Sequence, residues 1–469
     1  MLGSSTLILT GCVARKTVAA QPVTTVAPTW GYNSALFDSN SSRDLSTWWR
    51  KLEDDTLASL IEQALKNNPD LGTARSRLRE ARAQRKLAEA NRFPSASVSI
   101  SAAPNKTSGS PLSNLFSEDF DASWDPDVFG SLRNAVAAAD ADVRATRADL
   151  HNTQVSLVAE VALNYIQLRT DQSRAEIAHQ NEVSQSETLQ LTSWRAQAGL
   201  VSSVDVEQAR TNLEQTRAGI PTLESSIAQS EHQLATLLGL PAPTLKIRLS
   251  KAASLPGAPE TITVGIPAEA LRQRPDVQAA EQRIVAETRR LRQQEAARFP
   301  TFSLTGSLGI QQLTGMAVNS GTAIVTGGTS ELASLSAGVL QTVFDAGRIR
   351  AKIETQNAVQ EQAVIAYEST VLTAVKEVEN NLVSVAKYRE QVAALSAAEE
   401  SSKNAAVLAK NRYMAGITDF QTVLDTERTT LTVQDSLAAA KGNVLTSVVQ
   451  LYKALGGGWS SETAAVGNK

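Results

Sequence analysis

Two segments, RFPSASVSIS at residues 92–101 and RFPTFSLTGS at residues 298–307, decide the fold of this chain. In both, small polar residues alternate with apolar ones after an Arg-Phe-Pro triplet, and a strict period of two is the pattern of a β-strand. A weaker alternation returns at residues 116–124 and 333–339. We therefore predict two β-hairpins, at about residues 94–126 and 300–343.

The predicted strands have the length and the two faces of membrane strands. Each is about ten residues long, which crosses a bilayer when the strand is tilted. One face is small and polar and the other is apolar, as a water-filled barrel requires. Two stretches rich in Gly, Ser, Asn and Pro, near residues 103–115 and 312–330, are predicted as the linking loops. Two hairpins on a soluble sheet are the alternative reading of the same pattern.

The chain contains an internal repeat. Pro69 and Pro275 lie 206 residues apart, each followed by Asp, and the two Arg-Phe-Pro triplets keep that spacing. Further on, Gly199 and Gly416 lie 217 residues apart, each preceded by Ala. The extra residues of the second half fall inside its hairpin, and insertions sit in loops. We predict two structural repeats, at residues 56–240 and 266–456, joined by a connecting segment at 241–265.

Long helices make up most of each repeat. Residues 131–198 and the matching residues 348–415 contain no Pro or Gly. At 1.5 Å per residue each stretch would be roughly 100 Å long. Apolar residues recur at alternating steps of three and four, which is coiled-coil spacing. Gly199 and Gly416 follow these stretches, and Gly ends a helix by taking a left-handed conformation. We expect a tip turn at each, followed by a returning helix.

Composition excludes several other classes. The chain has 45 Lys and Arg against 48 Asp and Glu, so charge gives no reason to expect nucleic-acid binding. Arginines near residues 75–85 and 289–292 are interleaved with glutamates and predict a solvated helix face. There is one Cys, which excludes an intrachain disulfide and a Cys-based zinc site. Three scattered His and three Met argue against a soft-metal site. No apolar run reaches the length of a transmembrane helix.

Four strands per chain cannot close a barrel, and an open sheet edge cannot face lipid. Two copies give eight strands, and side chains fill the interior of an eight-stranded barrel. Three copies give twelve strands and leave an aqueous lumen. The predicted fold is mainly α with a membrane β-barrel: a twelve-stranded barrel formed by a trimer, continued by long antiparallel helices as a trimeric α-helical barrel.

The only cysteine follows Leu9-Thr10-Gly11 at position 12. Small residues before a Cys resemble the lipobox of bacterial lipoproteins, so residues 1–12 are predicted as a signal-peptide remnant and Cys12 as lipidated. The apolar part is short and no basic residue precedes Cys12. The alternatives are a Cys without a role and a start further upstream. Residues 13–55 are predicted as an extended linker, and residues 457–469 as a C-terminal tail.

Several motifs are similar to those of one family. The chain resembles the TolC family of outer-membrane channels, and specifically its lipidated, OprM-like (NodT-type) efflux branch. The resemblance runs from about residue 45 to residue 460. The motifs that carry it are Asn68-Pro69-Asp70-Leu71, Arg92-Phe93-Pro94, Arg274-Pro275-Asp276-Val277, Arg298-Phe299-Pro300, Arg412-Tyr413-Met414-Ala415-Gly416, and the run from Val449 to Trp459 that ends in three glycines and Trp.

The resemblance implies a homotrimer in the cell outer membrane, with its helical barrel in the periplasm. It implies two protein partners, a periplasmic adaptor (membrane fusion) protein and an inner-membrane RND pump, and contact with outer-membrane lipid. Nucleic acid is not an expected partner. The expected function is passive export of drugs or other small molecules through the outer-membrane channel of a tripartite system. No cofactor is expected beyond the lipid on Cys12, and no catalytic activity. The exported substrate cannot be inferred from the chain.

The resemblance also implies two kinds of site residue. The tip turns would meet the adaptor, at Gly199 and Leu200 in one half and at Gly416 and Ile417 in the other. Plain helix capping is the other role open to the glycines. The segment Val423–Arg428 resembles one whose Asp narrows the periplasmic end of the channel. The resemblance makes Asp425, Gln421 and Asp205 the candidate gate residues.

In the family, a small residue followed by Gln is common where this chain has Thr426 and Glu427. Gln421 stands where a relative carries an apolar residue. The gate is therefore expected to be mostly polar. Within the channel class, the alternatives are an exit duct for ABC-driven protein secretion and one for metal efflux. The alternative of another class is a lipid-anchored structural coiled-coil tether without a pore.

Overall fold

The computed structural model describes residues 27–32, 34, 36–38, 45–105, 113–249, 254–319 and 322–460. Within these ranges the protein is mainly helical with a few strands. The helices are α1 (Asp55–Asn67), α2 (Pro69–Ala90), α3 (Ser131–Gln197), α4 (Ser203–Leu237), α5 (Lys246–Leu249), α6 (Pro267–Gln273), α7 (Pro275–Ala296), α8 (Arg348–Met414) and α9 (Phe420–Ala454). The strands are β1 (Phe37–Asp38), β2 (Ser95–Asn105), β3 (Ser113–Trp124), β4 (Ile262–Thr263), β5 (Thr301–Asn319) and β6 (Thr322–Leu340).

The two predicted long helices are confirmed, and they match in length. Helices α3 and α8 each span 67 residues, and the returning helices α4 and α9 each span 35. Because no Pro or Gly interrupts α3 or α8, nothing removes a backbone hydrogen bond or loosens the chain along them. No helix in the described ranges is both long enough and apolar enough to span a membrane.

The described chain divides into two compact units. The first holds residues 87–140 and 283–368, apart from the gaps named above, and contains the strands β2, β3, β5 and β6 with the adjoining helix ends. The second holds the rest: α1, most of α2, the greater part of the long helices, and the returning helices.

The first unit is built on one antiparallel sheet in the order β2-β3-β5-β6. Both predicted hairpins are present, and β3 of the first pairs with β5 of the second. The outer strands β2 and β6 each have a single paired neighbour in the described chain. The sheet is therefore open at both ends.

The second hairpin is longer than the sequence pattern indicated. Its strands have 19 residues each, and their pairing continues from Thr301 opposite Leu340 to Asn319 opposite Thr322. The loop predicted at residues 312–330 is therefore wrong. Glycine is typical of loops, but Gly315, Gly327 and Gly328 keep the ladder pairing. The β-branched residues around them favour strand conformation.

The register separates two different sheet faces. The pairing places Val98 opposite Phe120, and Phe120 opposite Leu308. These side chains lie on one face and are 69%, 49% and 62% exposed. The same face carries Ile100, Phe302, Leu304, Leu335 and Val339. A contiguous exposed apolar surface of this kind marks contact with a partner or a membrane.

The opposite face is polar. It carries the serines that alternate along β2, the aspartates of β3, and Thr and Ser residues of β5 and β6. Hydroxyl groups meet across neighbouring strands, with Oγ atoms 2.7 Å apart for Ser101 and Ser117 and 2.7 Å apart for Ser307 and Ser334. The predicted contrast between an apolar and a polar face is therefore confirmed for this sheet.

Aromatic side chains gather where the strands join the helices. The ring of Phe129 stacks on Phe299 at 4.7 Å and lies 6.3 Å from Phe302. The indole N–H of Trp124 donates to the carbonyl of Arg92 at 3.0 Å. Aromatic rings with a polar handle are typical of the water–lipid boundary.

The second unit has a large core that includes part of the predicted linker. Residues 48–52 form a 3₁₀ helix rather than an extended chain, because Trp48 and Leu52 are buried. Trp48 stacks on Tyr452 of α9 at 5.1 Å, and burial raises the pKa of the Tyr452 phenol to about 12. At the end of the described chain, Trp459 stacks on His151 at 4.5 Å. Burial lowers the pKa of that histidine.

Candidate functional site at the helix tips

The turn between α3 and α4 is closed by a Schellman motif. Gly199 has a φ of 74°, a backbone conformation that is strained for a residue with a side chain. Its N–H donates to the carbonyl of Ala196 at 2.9 Å. The N–H of Leu200 donates to the carbonyl of Arg195 at 2.9 Å. These two bonds satisfy carbonyls that the end of a helix leaves without partners.

The turn between α8 and α9 has the same geometry. Gly416 has φ of 73°, and its N–H donates to Tyr413 at 3.0 Å. The N–H of Ile417 donates to the carbonyl of Arg412 at 2.9 Å. The capping role considered for both glycines is thus present, and their predicted adaptor contact stays a prediction.

Both returning helices begin with a side-chain cap. The capping residue is a serine in α4 and an aspartate in α9. Ser202 caps α4, and the carboxylate of Asp205 accepts from the Ser202 N–H at 3.0 Å, which forms a capping box. Asp419 caps α9 by accepting from the N–H of Thr422 at 3.0 Å. Hydrogen bonds from Thr422 lower the pKa of Asp419. Asp205, predicted at the gate, therefore has a structural task at the helix start.

Large apolar side chains stand exposed at both turns. Leu200 is 67% exposed and Ile417 is 73% exposed. A groove of about 340 Å³ lies beside the first turn, lined by the start of α4 and by Arg428 of α9. Exposed apolar side chains grouped in this way are typical of surfaces that contact another protein.

A small separate core holds the two tips together. It consists of buried apolar residues from the ends of α4, α8 and α9, together with the partly buried Leu189 and Leu191 of α3 and Val201 of the first turn. Its centre is the pair Tyr413 and Phe420, whose rings lie 5.4 Å apart. The other buried members are Ala209, Ala409, Val423 and Leu424.

Arg195 ties the end of α3 to the end of α8. Its Nη1 atom donates to the backbone carbonyls of Tyr413 and Met414, at 3.1 and 3.2 Å. Its guanidinium also lies over the Tyr413 ring, 4.6 Å from the centroid. A cation at a helix C-terminus is favourable, and so is a cation over an aromatic face. Arg195 stands four residues before Gly199 in the sequence, but that spacing gives no signal of this cross-helix contact.

The candidate gate residues Asp425 and Gln421 lie one turn apart on α9. The Gln421 amide donates to the Asp425 carboxylate at 2.9 Å, and both side chains are exposed. Asp425 is therefore held in place by its neighbour while its carboxylate still faces solvent. This arrangement agrees with a polar constriction, and its place in a channel stays a prediction.

A buried carboxylate two residues after Asp425 on α9 was not among the predicted site residues. Glu427 is 9% exposed, and its carboxylate accepts a 2.7 Å hydrogen bond from the hydroxyl of Thr188 on α3. Burial raises the pKa of this carboxyl, against the smaller opposing effects of Thr188 and Lys410. The signal available in the sequence was the Glu that replaces Gln beside Asp425.

The other predicted features concern covalent lipid and metals. Cys12, the predicted lipidation site, lies outside the described residues. Among residues that the structure describes, no group of His, Cys, Asp and Glu is arranged to hold a metal ion.

A sheet with one exposed apolar face and one polar face, in a chain that also forms two matched helical hairpins, defines a class of outer-membrane channels with a helical extension. The outer membrane efflux protein family model matches residues 60–240 and 266–457. The chain therefore belongs to the outer membrane efflux protein family. It is an efflux channel of the outer membrane, a transport conduit rather than an enzyme.

Individual relatives agree with this assignment. The chain is 31% identical to the solvent efflux pump outer membrane protein SrpC of Pseudomonas putida, over 94% of each chain. It is 31% identical to nodulation protein T of Rhizobium leguminosarum bv. viciae, over 90% of this chain and 86% of that protein. The solved outer-membrane channel OprN has a TM-score of 0.84 and 34% identity, covering 94% of this chain and 99% of that one.

Proposed function

We propose that three copies of this chain form one passive duct, the outer-membrane exit of a tripartite RND-type efflux system. The observation that carries the proposal is the open sheet, whose outer strands β2 and β6 each lack a second neighbour in the described chain. An unpaired strand edge cannot lie in lipid, where no water satisfies its backbone groups. Each edge must therefore pair with another copy.

The number of copies follows from the polar face of the sheet. Eight strands enclose a barrel that side chains fill, whereas twelve leave an aqueous lumen. The polar face bears Ser, Thr and Asp side chains, which suit a water-filled interior. The exposed apolar face, with Val98 and Leu335 69% and 80% exposed, suits lipid. A trimer with twelve strands satisfies both faces.

Matched contacts support an origin of the chain by duplication. In the first half, the Asn68 amide donates to the carbonyl of Leu237, the last residue of α4, at 2.9 Å. In the second half, the Arg274 guanidinium donates to the carbonyl of Ala454, the last residue of α9, at 2.7 Å. Two equivalent halves per chain give a trimer six equivalent helical hairpins, enough to form a helical barrel in the periplasm.

The tips are the proposed place of contact with the partner proteins. Gly199 and Gly416 shape the turns, and Leu200 and Ile417 present apolar side chains from them. A periplasmic adaptor protein would dock there and couple the duct to an inner-membrane RND pump. SrpC is named for solvent efflux. Small organic molecules, drugs among them, are accordingly the proposed cargo.

The gate is proposed at the periplasmic end. Three copies of Asp425, each held by Gln421, would form an acidic ring that favours cations and resists opening. Asp205 contributes by fixing the start of α4. At the other end of the sequence, a lipid on Cys12 is proposed to anchor each chain in the outer membrane.

The test is cross-linking between strand edges. In the trimer, a cysteine in β2 of one copy lies beside β6 of the next. Ser97→Cys is combined in turn with Ser334→Cys, Ser336→Cys and Gly338→Cys, and the purified protein is oxidised. We expect one combination to give covalent trimers, detected by mass under denaturing conditions.

The matched control is the pair Ser307→Cys and Ser334→Cys, since those residues face each other on β5 and β6 of one chain. This pair should link only within a chain. Covalent species no larger than dimers, or no links between copies in any combination, would contradict the proposed barrel. Cys12 is present in every variant, so the parent protein sets the background.

A further inference from the structure

Two arginines occupy equivalent places at the tips, but one of them has a partner and the other does not. Arg195 and Arg412 each stand four residues before a tip glycine, and they lie 217 residues apart. The side chain of Arg195 is bound to the end of α8. The side chain of Arg412 is exposed and makes no hydrogen bond or ion pair within the described chain.

The internal equivalence identifies the partner that Arg412 lacks. The spacing that relates Arg195 to Arg412 also relates Ala196 and Gln197 to Tyr413 and Met414. The carbonyls that Arg195 binds thus have counterparts at the end of α3. Within one chain only one such junction exists, where the first hairpin meets the second. In a ring of three chains, the second hairpin of each copy also meets the first hairpin of the next.

We propose that Arg412 of one copy binds the backbone carbonyls of Ala196 and Gln197 of a second copy. The inference rests on the trimer proposed above. The chemistry is complementary, because the carbonyl end of a helix carries partial negative charge and the guanidinium is a fixed cation. We call an arginine bound to two carbonyls at the end of a neighbouring helix a clamp. The tips of the trimer then contain six clamps, three within chains and three between them.

The clamp between copies is the weaker of the two kinds. Within a chain, the guanidinium of Arg195 lies on the Tyr413 ring, and Tyr413 packs on Phe420. The counterparts of these two aromatic residues are Ala196 and Ser203. Arg412 therefore finds carbonyls but no aromatic face.

The packing around the clamp differs in the same direction. The small core at the tip uses Ala409 and Leu424 within a chain. Their counterparts are Thr192 and Glu207. Thr192 is buried within its own chain, whereas Glu207 is exposed. The junction between copies thus presents a charged side chain where the junction within a chain is apolar. Opening of the tip begins between copies, and Arg412 is the residue that restrains it.

The placement of Arg412 is tested by cross-linking with a short bis-maleimide. The pair Arg412→Cys and Gln197→Cys should give covalent trimers. The matched pair Arg195→Cys and Met414→Cys should link only within a chain. If the first pair links within a chain or not at all, while the β2–β6 pairs still give covalent trimers, the inference fails and the proposed function stands. If the edge pairs also fail, the proposed function fails with it.

Its restraining role is tested by conductance of the purified protein in a planar bilayer. Losing a hydrogen-bonded charge at each of three junctions should raise the open probability by about tenfold in Arg412→Ala. Arg412→Lys should recover only part of the restraint, because one ammonium cannot copy the planar fork. Lys403→Ala is the control, since Lys403 is exposed on the same helix as Arg412 and pairs with Glu399 of that helix at 2.6 Å. An unchanged open probability in Arg412→Ala would overturn the restraint.

Discussion

The carboxylate of Glu427 accepts a 2.7 Å hydrogen bond from the hydroxyl of Thr188, 239 residues away in the chain. The contact joins α9 to α3 close to the tip core. The other carboxylate oxygen, Oε2, is buried without a hydrogen-bond partner in the described chain. An ionised carboxyl in that position is disfavoured, and the raised pKa of Glu427 expresses this.

The stability of the tip should depend on pH through Glu427. A pKa above the ordinary 4.5 means that the folded tip holds the proton more firmly than the unfolded chain does. The free energy of local unfolding should therefore fall as pH rises from the ordinary value through the raised one. Above that window the penalty is fully present. Hydrogen exchange of the α3 and α9 segments, corrected for intrinsic rates, measures it.

The matched variant for this prediction is Glu427→Gln. A neutral amide keeps the shape and accepts from Thr188, so the variant should be more stable near neutral pH by about 1 kcal/mol. It should also lose the pH dependence in that window. A Glu427→Gln protein that keeps the full pH dependence would show that another group is responsible.

Alanine at the tip glycines should destabilise the turns. Both have positive φ, and an added Cβ would meet nothing within 4 Å at either position. The cost is therefore backbone strain alone, about 1 kcal/mol in each of Gly199→Ala and Gly416→Ala. Local opening free energies from hydrogen exchange of the last turns of α3 and α8 would report it.

Gly219 serves as the control for these two variants. It lies within α4, without positive φ, and an added Cβ there also has open space. Gly219→Ala should therefore stabilise the helix by roughly 0.5–1 kcal/mol. Equal effects at Gly199 and Gly219 would contradict the turn geometry.

Alanine at Gly442 should be costly for a different reason. Gly442 of α9 lies so close to α3 that an added Cβ would overlap the hydroxyl and methyl groups of Thr170. Overpacking of this kind costs roughly 1–3 kcal/mol, measured as a loss of thermal stability in Gly442→Ala. Adding Thr170→Ala should restore most of the loss. No rescue in the double variant would show that the two helices do not approach at this point.

The ion pair between Arg174 and Asp435 should couple α3 to α9 measurably. Two nitrogens of Arg174 donate to the two carboxylate oxygens at 2.7 and 3.0 Å, and the side chains are about one third exposed. A double-mutant cycle with alanine should give a coupling of about 1 kcal/mol. The exposed pair Arg50 and Glu62 should give less than about 0.5 kcal/mol. Equal couplings would mean that the paired geometry adds nothing.

Asp425 should control ion passage if it lies at the gate. Asp425→Ala removes three carboxylates from the proposed ring, so conductance in a planar bilayer should rise and block by divalent cations should weaken. Glu390→Ala is the control, because Glu390 is exposed and pairs with Lys387 at 2.9 Å within the same helix. Unchanged conductance and divalent block in Asp425→Ala would exclude the acidic ring.

Local patterns in the sequence predicted the elements, and tertiary contacts decided what they could not. The absence of Pro and Gly predicted α3 and α8, and alternation predicted the hairpins. The glycine-rich loop at 312–330 was wrong because cross-strand pairing outweighs the weak propensity of glycine. The burial of Trp48 depends on Tyr452, about four hundred residues away, and has no local signal.

The site shows the same division. The tip glycines were visible in the sequence, because a helix end has its own residue preferences. The side-chain caps at Ser202 and Asp419 were not predicted. The contact of Arg195 with Tyr413 depends on how two hairpins meet, so no spacing within either one indicates it. The only signal in the sequence is that Arg412 occurs at the position equivalent to Arg195.

The central claim is that three copies enclose one duct, and the native mass of the detergent-purified protein tests it most directly. The account predicts a particle of three chains, each about 50 kDa by sequence, that stays assembled on dilution. Native mass spectrometry gives this mass, and the mass of each chain in the same spectrum shows whether Cys12 carries lipid. A particle of one or two chains would contradict the account, because four or eight strands cannot surround an open lumen.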